Sequence, residues 1–297
     1  MTLTDDEIGW VGELIHRSAA LVLESGKGYL VESRLGPIAR AEGLSVSQLI
    51  AELRAVDPGP LHQRVVQAMT TNETSWFRDL HPFEALRTTV IPDLIERRRS
   101  ERSLTVWSAA CSTGQEPYSV AMVLLDSFPE LASWRVRILA TDLSEAAVER
   151  GRIGTYSELE INRGLSGTQR GAHFERDGLT WRAGQRLRSL VEFKVMNLIQ
   201  PWPQLPAMDV VLLRNVMIYF DLETKRNLLE RVGRVLRPDG YLFLGNAEST
   251  LNIDDRYVRV PPERAGCHQL RTFAGPPSSS RHQHAAGWSR SPEGSLT

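Results

Sequence analysis

The sequence predicts an α/β fold class: a doubly wound, mostly parallel sheet, preceded by an all-helical N-terminal domain and interrupted by a small inserted β-containing piece. Three observations predict it: helix-period apolar positions up to residue 69, short apolar runs alternating with helical segments beyond residue 80, and a Gly- and Arg-rich break at 155–190. In the first part, apolar residues recur at helical spacing in Ile8, Val11, Leu14 and Ile15, in Leu30, Leu35 and Ile38, and in Leu44, Leu49, Ile50 and Leu53. Breaks fall at Gly26, Gly43 and Asp57–Pro60. A polar linker over 70–80 contains Trp76 and Phe77. The remainder, 81–272, reads as strands at 104–110, 136–142, 191–195, 208–214 and 241–245, the last preceded by the turn Pro238-Asp239-Gly240. Helices are expected at 115–127, 144–152 and 221–236. The tail, 273–297, is too rich in Gly, Pro and Ser to bury a core and is expected to be disordered.

Composition narrows the function classes. Lys plus Arg number 35 and Asp plus Glu 36, a formal net charge of −1, which argues against electrostatic capture of nucleic acid or of an anionic membrane. No apolar run approaches the roughly 18 residues of a membrane span, and the acidic N-terminus does not resemble a signal peptide. Cys111 and Cys267 sit in no ligand-spaced cluster, so a cytoplasmic, reduced protein without disulfides is expected. The sequon Asn72-Glu73-Thr74 then carries no meaning. Cys111 reads as filler, Arg97-Arg98-Arg99 as a solvated helix end, and His282 and His284 as spacer with only a faint metal signal.

Ligands of open α/β sheets bind beyond the carboxyl ends of the strands, and four such ends are polar here. The first runs into Cys111-Ser112-Thr113-Gly114-Gln115-Glu116-Pro117, with Gly114 allowing close backbone approach and Pro117 placed to open a helix. There is neither GxGxxG nor GxxxxGK[ST], which disfavours a dinucleotide and removes a P-loop. A carboxylate at Glu116 is wrong for phosphate. It suits an ammonium group such as the amino-acid end of S-adenosylmethionine (SAM), or simply favours the helix dipole. Asp142 ends the second strand, where an acid accepts hydrogen bonds from ribose hydroxyls; Ser144 is the better cap for the helix that follows. Asn197 and Leu198 follow the third strand, offering an amide for the edge and an apolar face for adenine. Arg214 and Asn215 follow the fourth, and a charge there is costly unless paired.

Five segments resemble the CheR family of chemotaxis receptor methyltransferases. They are Thr71–Asp79, Trp107–Ser119, Ala140–Ser144, Arg214–Asp221 and Leu236–Ser249, and the similarity runs in family order from about residue 5 to 271. The resemblance implies a Rossmann-like SAM-dependent methyltransferase domain with an inserted antiparallel β-subdomain, a helical N-terminal domain, and a linker that contributes to the cofactor site. It implies SAM contacts from Asn72, Thr74, Arg78, Glu116, Asp142, Asn197, Leu198, Arg214 and Asn215, with Arg78 and Tyr219 beside the transferred methyl. The implied activity is protein-glutamate O-methylation of methyl-accepting chemotaxis receptors for sensory adaptation, giving glutamate methyl esters and S-adenosylhomocysteine. The other readings are a SAM-dependent methylase of a different acid or hydroxyl, and a SAM-binding adaptor without turnover.

The implied partner is the cytoplasmic helical domain of those receptors, with Lys27 and Arg34, seven apart, as the docking pair on one helix face. Residues 1–70 nonetheless carry six Lys or Arg against nine Asp or Glu, a weaker basicity than members that dock receptors through this domain show, and a solvated face is the other reading. The insert around His173–Trp181 looks shorter than in members that grip a receptor C-terminal peptide, so no such tether is expected. Gln115 stands where many members have an acid. A monomer without nucleic-acid or membrane contacts is expected.

Overall fold

A computed structural model describes residues 3–24 and 26–271; the tail and its two histidines lie outside the described residues. Four helices come first: α1 (Asp5–Ala19), α2 (Gly28–Ala41), α3 (Val46–Ala55) and α4 (Pro60–Ala68). Thr4 and Ser45 open α1 and α3 with reciprocal capping boxes to Glu7 and Gln48. Val11, Ile15, Val31, Leu35, Leu49, Ile50, Leu53 and Val65 close over one another in a common core.

A helix follows in three pieces: α5 (His81–Ala85), a π-helical turn (Leu86–Val90) and α6 (Ile91–Arg97). The main sheet then builds from β1 (Ser103–Ala109), α7 (Gln115–Ser127), β2 (Arg135–Asp142) and α8 (Glu145–Ile153). The insert comprises β3 (Thr155–Ser157), α9 (Glu158–Ile161), α10 (Gly167–His173), β4 (Phe174–Asp177), β5 (Thr180–Ala183) and α11 (Gln185–Leu190). The sheet resumes with β6 (Val191–Val195), β7 (Met208–Leu213), α12 (Leu222–Val235), β8 (Leu236–Leu244), β9 (Tyr257–Arg259) and β10 (Cys267–Leu270).

Strand order is β6-β2-β1-β7-β8-β10-β9. The first five strands are parallel and the last two antiparallel. Alternation along the strands feeds two cores: Val106, Ile138 and Val210 face α7 and the 81–97 helix, while Trp107, Leu139 and Val211 face α12. Because β2 and β7 flank β1, chain order reverses there, and a crevice opens beyond the carboxyl ends of these strands. The insert forms a separate antiparallel sheet, β3-β5-β4. No helix among the described residues is long and apolar enough to cross a membrane.

Several expectations are corrected. Pro238-Asp239-Gly240 is no turn before a strand but a bulge within β8, since Met208 pairs with Leu236 while Val210 pairs with Tyr241. Pro117 is the third residue of α7, not the first; its missing N–H is still one of those a helix start leaves unpaired. The arginine run is not all solvated. Arg98 is 4% exposed. Its Nε donates to Asp209 at 2.7 Å and its two terminal nitrogens to Asp239 at 2.9 and 2.6 Å. Charges removed from water need such partners, and both acids lie far away in sequence.

Candidate functional site

The linker is built before anything can bind to it. Trp76 is buried, donates its backbone N–H to the Arg163 carbonyl and its indole N–H to the Glu160 carbonyl, and meets Tyr156 and Phe174 edge-on. The linker therefore rests on the insert. Around Arg78 the backbone is left-handed at Phe77, Asp79 and Leu80 (φ 49°, 69° and 46°), strain that surrounding contacts must hold. Phe77 N–H donates to Ser119 Oγ. Arg214, its side chain 1% exposed, supplies three more contacts: to Glu116 (2.7 Å), to Asp79 (2.8 Å) and to the Arg78 carbonyl (2.7 Å). Ser108 donates to the other oxygen of Glu116. The charge at the tip of β7 is thus paired, as its burial demands, and it pins the linker across β1 and β7.

After β1 the chain turns sharply at Ala110, Ser112 and Gly114 (φ 58°, 51° and 96°). A side chain at Gly114 would press on Phe193 and Tyr156. Ser112 ties two walls together: its N–H donates to Asp142, its hydroxyl to the Asn72 carbonyl. Asp142 also accepts from Ser144 N–H, while Ser144 caps α8 through Ala147. Asp142 is 6% exposed, and burial pushes its carboxyl above the usual range although backbone N–H bonds pull the other way. Burial likewise lifts the Cys111 thiol well above its ordinary value, which suits a filler and not a nucleophile.

All ten residues expected at the site line one cavity: Asn72, Thr74, Arg78, Glu116, Asp142, Asn197, Leu198, Arg214, Asn215 and Tyr219. Two of them already have partners within the chain. The Asn197 amide donates to the Ser18 carbonyl at 2.7 Å and accepts from Ile199 N–H, and so fastens the end of α1 to the sheet. Glu116 already holds Arg214. The two residues of the expected docking pair also have partners within the chain. Arg34 donates to the Met69 carbonyl and to Thr71, bracing the linker, while Lys27 precedes α2 and pairs with Glu24.

Three contributors were not read from the sequence. Asp79 holds Arg214. Ala19 and Leu21 bring the end of α1 and the segment after it into the cavity wall, where Val22 N–H donates to the Tyr219 carbonyl. Glu248 accepts backbone N–H groups of the loop that carries Asn215 and Tyr219. Asp79 and Glu248 left a signal, as acids near the ends of the Thr71–Asp79 and Leu236–Ser249 segments, and Ala19 and Leu21 left none.

The lining fits a nucleoside joined to an amino acid. Leu21, Met196, Leu198 and Val216 give an apolar stretch for a base. Asp142, a buried carboxylate with two N–H donors, retains lone pairs for vicinal hydroxyls. Glu73, Arg78, Glu116 and Arg214 supply charges of both signs for an ammonium and a carboxylate.

Comparison with known proteins agrees. The family model described as CheR methyltransferase, SAM binding domain, matches residues 72–264. Chemotaxis protein methyltransferase 1 of Pseudomonas aeruginosa is 41% identical over 252 residues, covering 83% of this chain and 91% of that one. Chemotaxis protein methyltransferase Cher2 of Pseudomonas putida is 40% identical over the same length and shares. The chemotaxis protein methyltransferase of Salmonella typhimurium is 36% identical over 261 residues, 85% of this chain and 87% of that one. The cofactor is SAM, and the chain belongs to the CheR methyltransferase family.

Proposed function

We propose that the protein transfers the methyl group of SAM to glutamate side chains on the cytoplasmic helices of methyl-accepting chemotaxis receptors. One observation carries the reading. Of the two guanidiniums in the cavity wall, Arg214 is bound to Glu116 and Asp79, whereas Arg78 donates only to the Glu73 carbonyl and has no carboxylate partner among the described residues. Its fork remains available to a carboxylate arriving from outside. Among the described residues the neighbouring acids meet other guanidiniums, Asp79 meeting Arg214 and Glu73 meeting Arg163.

The residues divide the work. Leu198 and Met196, with Leu21, bound the adenine; Asp142 accepts from the ribose; Glu116, Arg214 and Asn215 face the amino-acid end; Asn72 and Thr74 close the linker side. When bound, SAM supplies a methyl carbon made electrophilic by its sulfonium, with S-adenosylhomocysteine as the departing thioether. A glutamate has a reference pKa of about 4.3 and is anionic at neutral pH, so no general base is required. The protein's tasks are alignment and exclusion of the water that blunts the nucleophile. Arg78 orients the incoming carboxylate, and Tyr219 bounds the other side of the transfer path. A guanidinium bond also makes the carboxylate less nucleophilic, so the gain in geometry must outweigh that loss.

The test is transfer of labelled methyl from SAM to receptor-containing membranes, followed by alkali, which releases methanol from carboxyl esters and not from N-methyl groups. Base-labile label on a receptor-sized band is the expected result. Arg78→Ala should reduce turnover at least about 100-fold, with a much smaller change in SAM affinity by calorimetry. Equal losses of both would recast Arg78 as a cofactor ligand. SAM binding with no transfer to any receptor would make the protein an adaptor.

A further inference from the structure

The loop from Arg214 to Asp221 has an unusual support. It leaves the buried end of β7, passes through a left-handed Asn215 (φ 58°), makes one 3-10 turn over Met217–Tyr219 and enters α12. A turn this short leaves its leading N–H groups without partners of its own. They converge on one carboxylate. Glu248 Oε1 accepts from Val216 (2.9 Å), Met217 (2.7 Å) and Ile218 (3.3 Å). Its Oε2 accepts from Asn215 (2.8 Å) and Gly245 (2.7 Å). The space beside it admits only glycine: a Cβ on Gly245 would lie 2.7 Å from Glu248 Oε2 and 2.8 Å from Asn215 Nδ2.

We propose that Glu248 is a positioning residue for methyl transfer, its carboxylate fixing where Tyr219 and Asn215 stand by capping the backbone of the loop that carries both. The inference rests on the methyl-transfer reading of the cavity. Asn215 and Tyr219 line that cavity and Glu248 does not, so Glu248 acts through them. Charge is central to the role. An ionised carboxylate offers four lone-pair sites and no donor, which suits converging N–H groups; a glutamine of the same shape turns its NH₂ toward some of them. The loop then shifts without losing its fold.

The test compares wild type, Glu248→Gln, Tyr219→Phe and the double variant in methyl transfer to receptor membranes, with hydrogen exchange followed by mass spectrometry on the same samples. In Glu248→Gln, amide exchange should speed up over 215–219 with the central strands unchanged, and kcat should fall about 100-fold, the scale of an ångström's misplacement. On the Tyr219→Phe background the same change should cost measurably less than in the wild type, because one of the two groups it positions is already altered while the share carried by Asn215 remains. Equal losses on both backgrounds, or unaltered exchange over 215–219, overturn the proposal. Should Glu248→Gln fail to fold, Gly245→Ala keeps the carboxylate, displaces it, and is read by the same two criteria. A wild type without transfer activity overturns the methyl-transfer reading itself, and is told apart from failure of the loop's support because the exchange data stand alone.

Discussion

At Asp142 the carboxylate is held between two backbone N–H groups, in a place where burial alone raises its pKa. A raised carboxyl contributes stability at acid pH that is lost as pH rises through its folded value, so the ionised form is a cost to the empty protein at neutral pH. On the proposed reading, ribose hydroxyls would stabilise that ionised form. SAM affinity should therefore weaken as the solution is acidified, starting at a pH above that at which an ordinary aspartate protonates, and Asp142→Asn should be weak throughout and lack that step; calorimetry as a function of pH checks both. This residue was legible in the sequence because a lone acid at the tip of a strand has few structural uses, and Ser144 already accounted for the cap. Asn197 was legible only as a member of the site. Nothing in its neighbours announces that Ser18, far away in the chain, supplies the partner of its amide. Arg98 failed for the same reason: a basic run looks solvated until the topology brings Asp209 and Asp239 beside it.

At the scale of elements, the linker and the insert form one support. Trp76 sits against Tyr156 and Phe174, and a side chain at Gly164 (φ 116°) would come within 2.1 Å of the Trp76 carbonyl. Trp76→Ala should cost about 3–5 kcal/mol for the lost burial and the cavity left behind. It should also weaken SAM binding, because Asn72, Thr74 and Arg78 ride on the same segment; chemical denaturation and calorimetry read the two effects separately. The inner parallel strands were legible because β7 and the carboxyl halves of β1, β2 and β8 are apolar runs buried on both faces, whereas the edge strand β6, Val191-Glu192-Phe193-Lys194-Val195, only alternates. The strands β9 and β10 were not: three and four residues long, they carry Arg259 and His268 and give no apolar run to read. The bulge in β8 was read as a turn since Pro-Asp-Gly is turn chemistry in most surroundings. Here Asp239 is held by Arg98 instead.

At the scale of the whole molecule, the helical N-terminal part is joined to the sheet at the wall of the cavity. Asn197 reaches the Ser18 carbonyl, Val22 N–H reaches the Tyr219 carbonyl, and Ala20 packs in the core shared with Trp107 and Leu139. The His16–Asp221 contact is exposed, and such pairs contribute little. Asn197→Ala leaves the Ser18 carbonyl without its donor, a cost of about 1–3 kcal/mol, and should raise hydrogen exchange over residues 16–24 even without SAM. A residue that only touched adenine would leave that exchange unaltered. The charges lining the cavity have a consequence for the cycle as a whole. The carboxylates of Glu73, Glu116 and Asp142 face the guanidiniums of Arg78 and Arg214, an excess of one negative charge. SAM carries one net positive charge at neutral pH and S-adenosylhomocysteine none. The lining is therefore expected to favour SAM over S-adenosylhomocysteine, which keeps its ammonium and carboxylate but has lost the sulfonium charge, and calorimetry with the two ligands at low and high salt measures that preference.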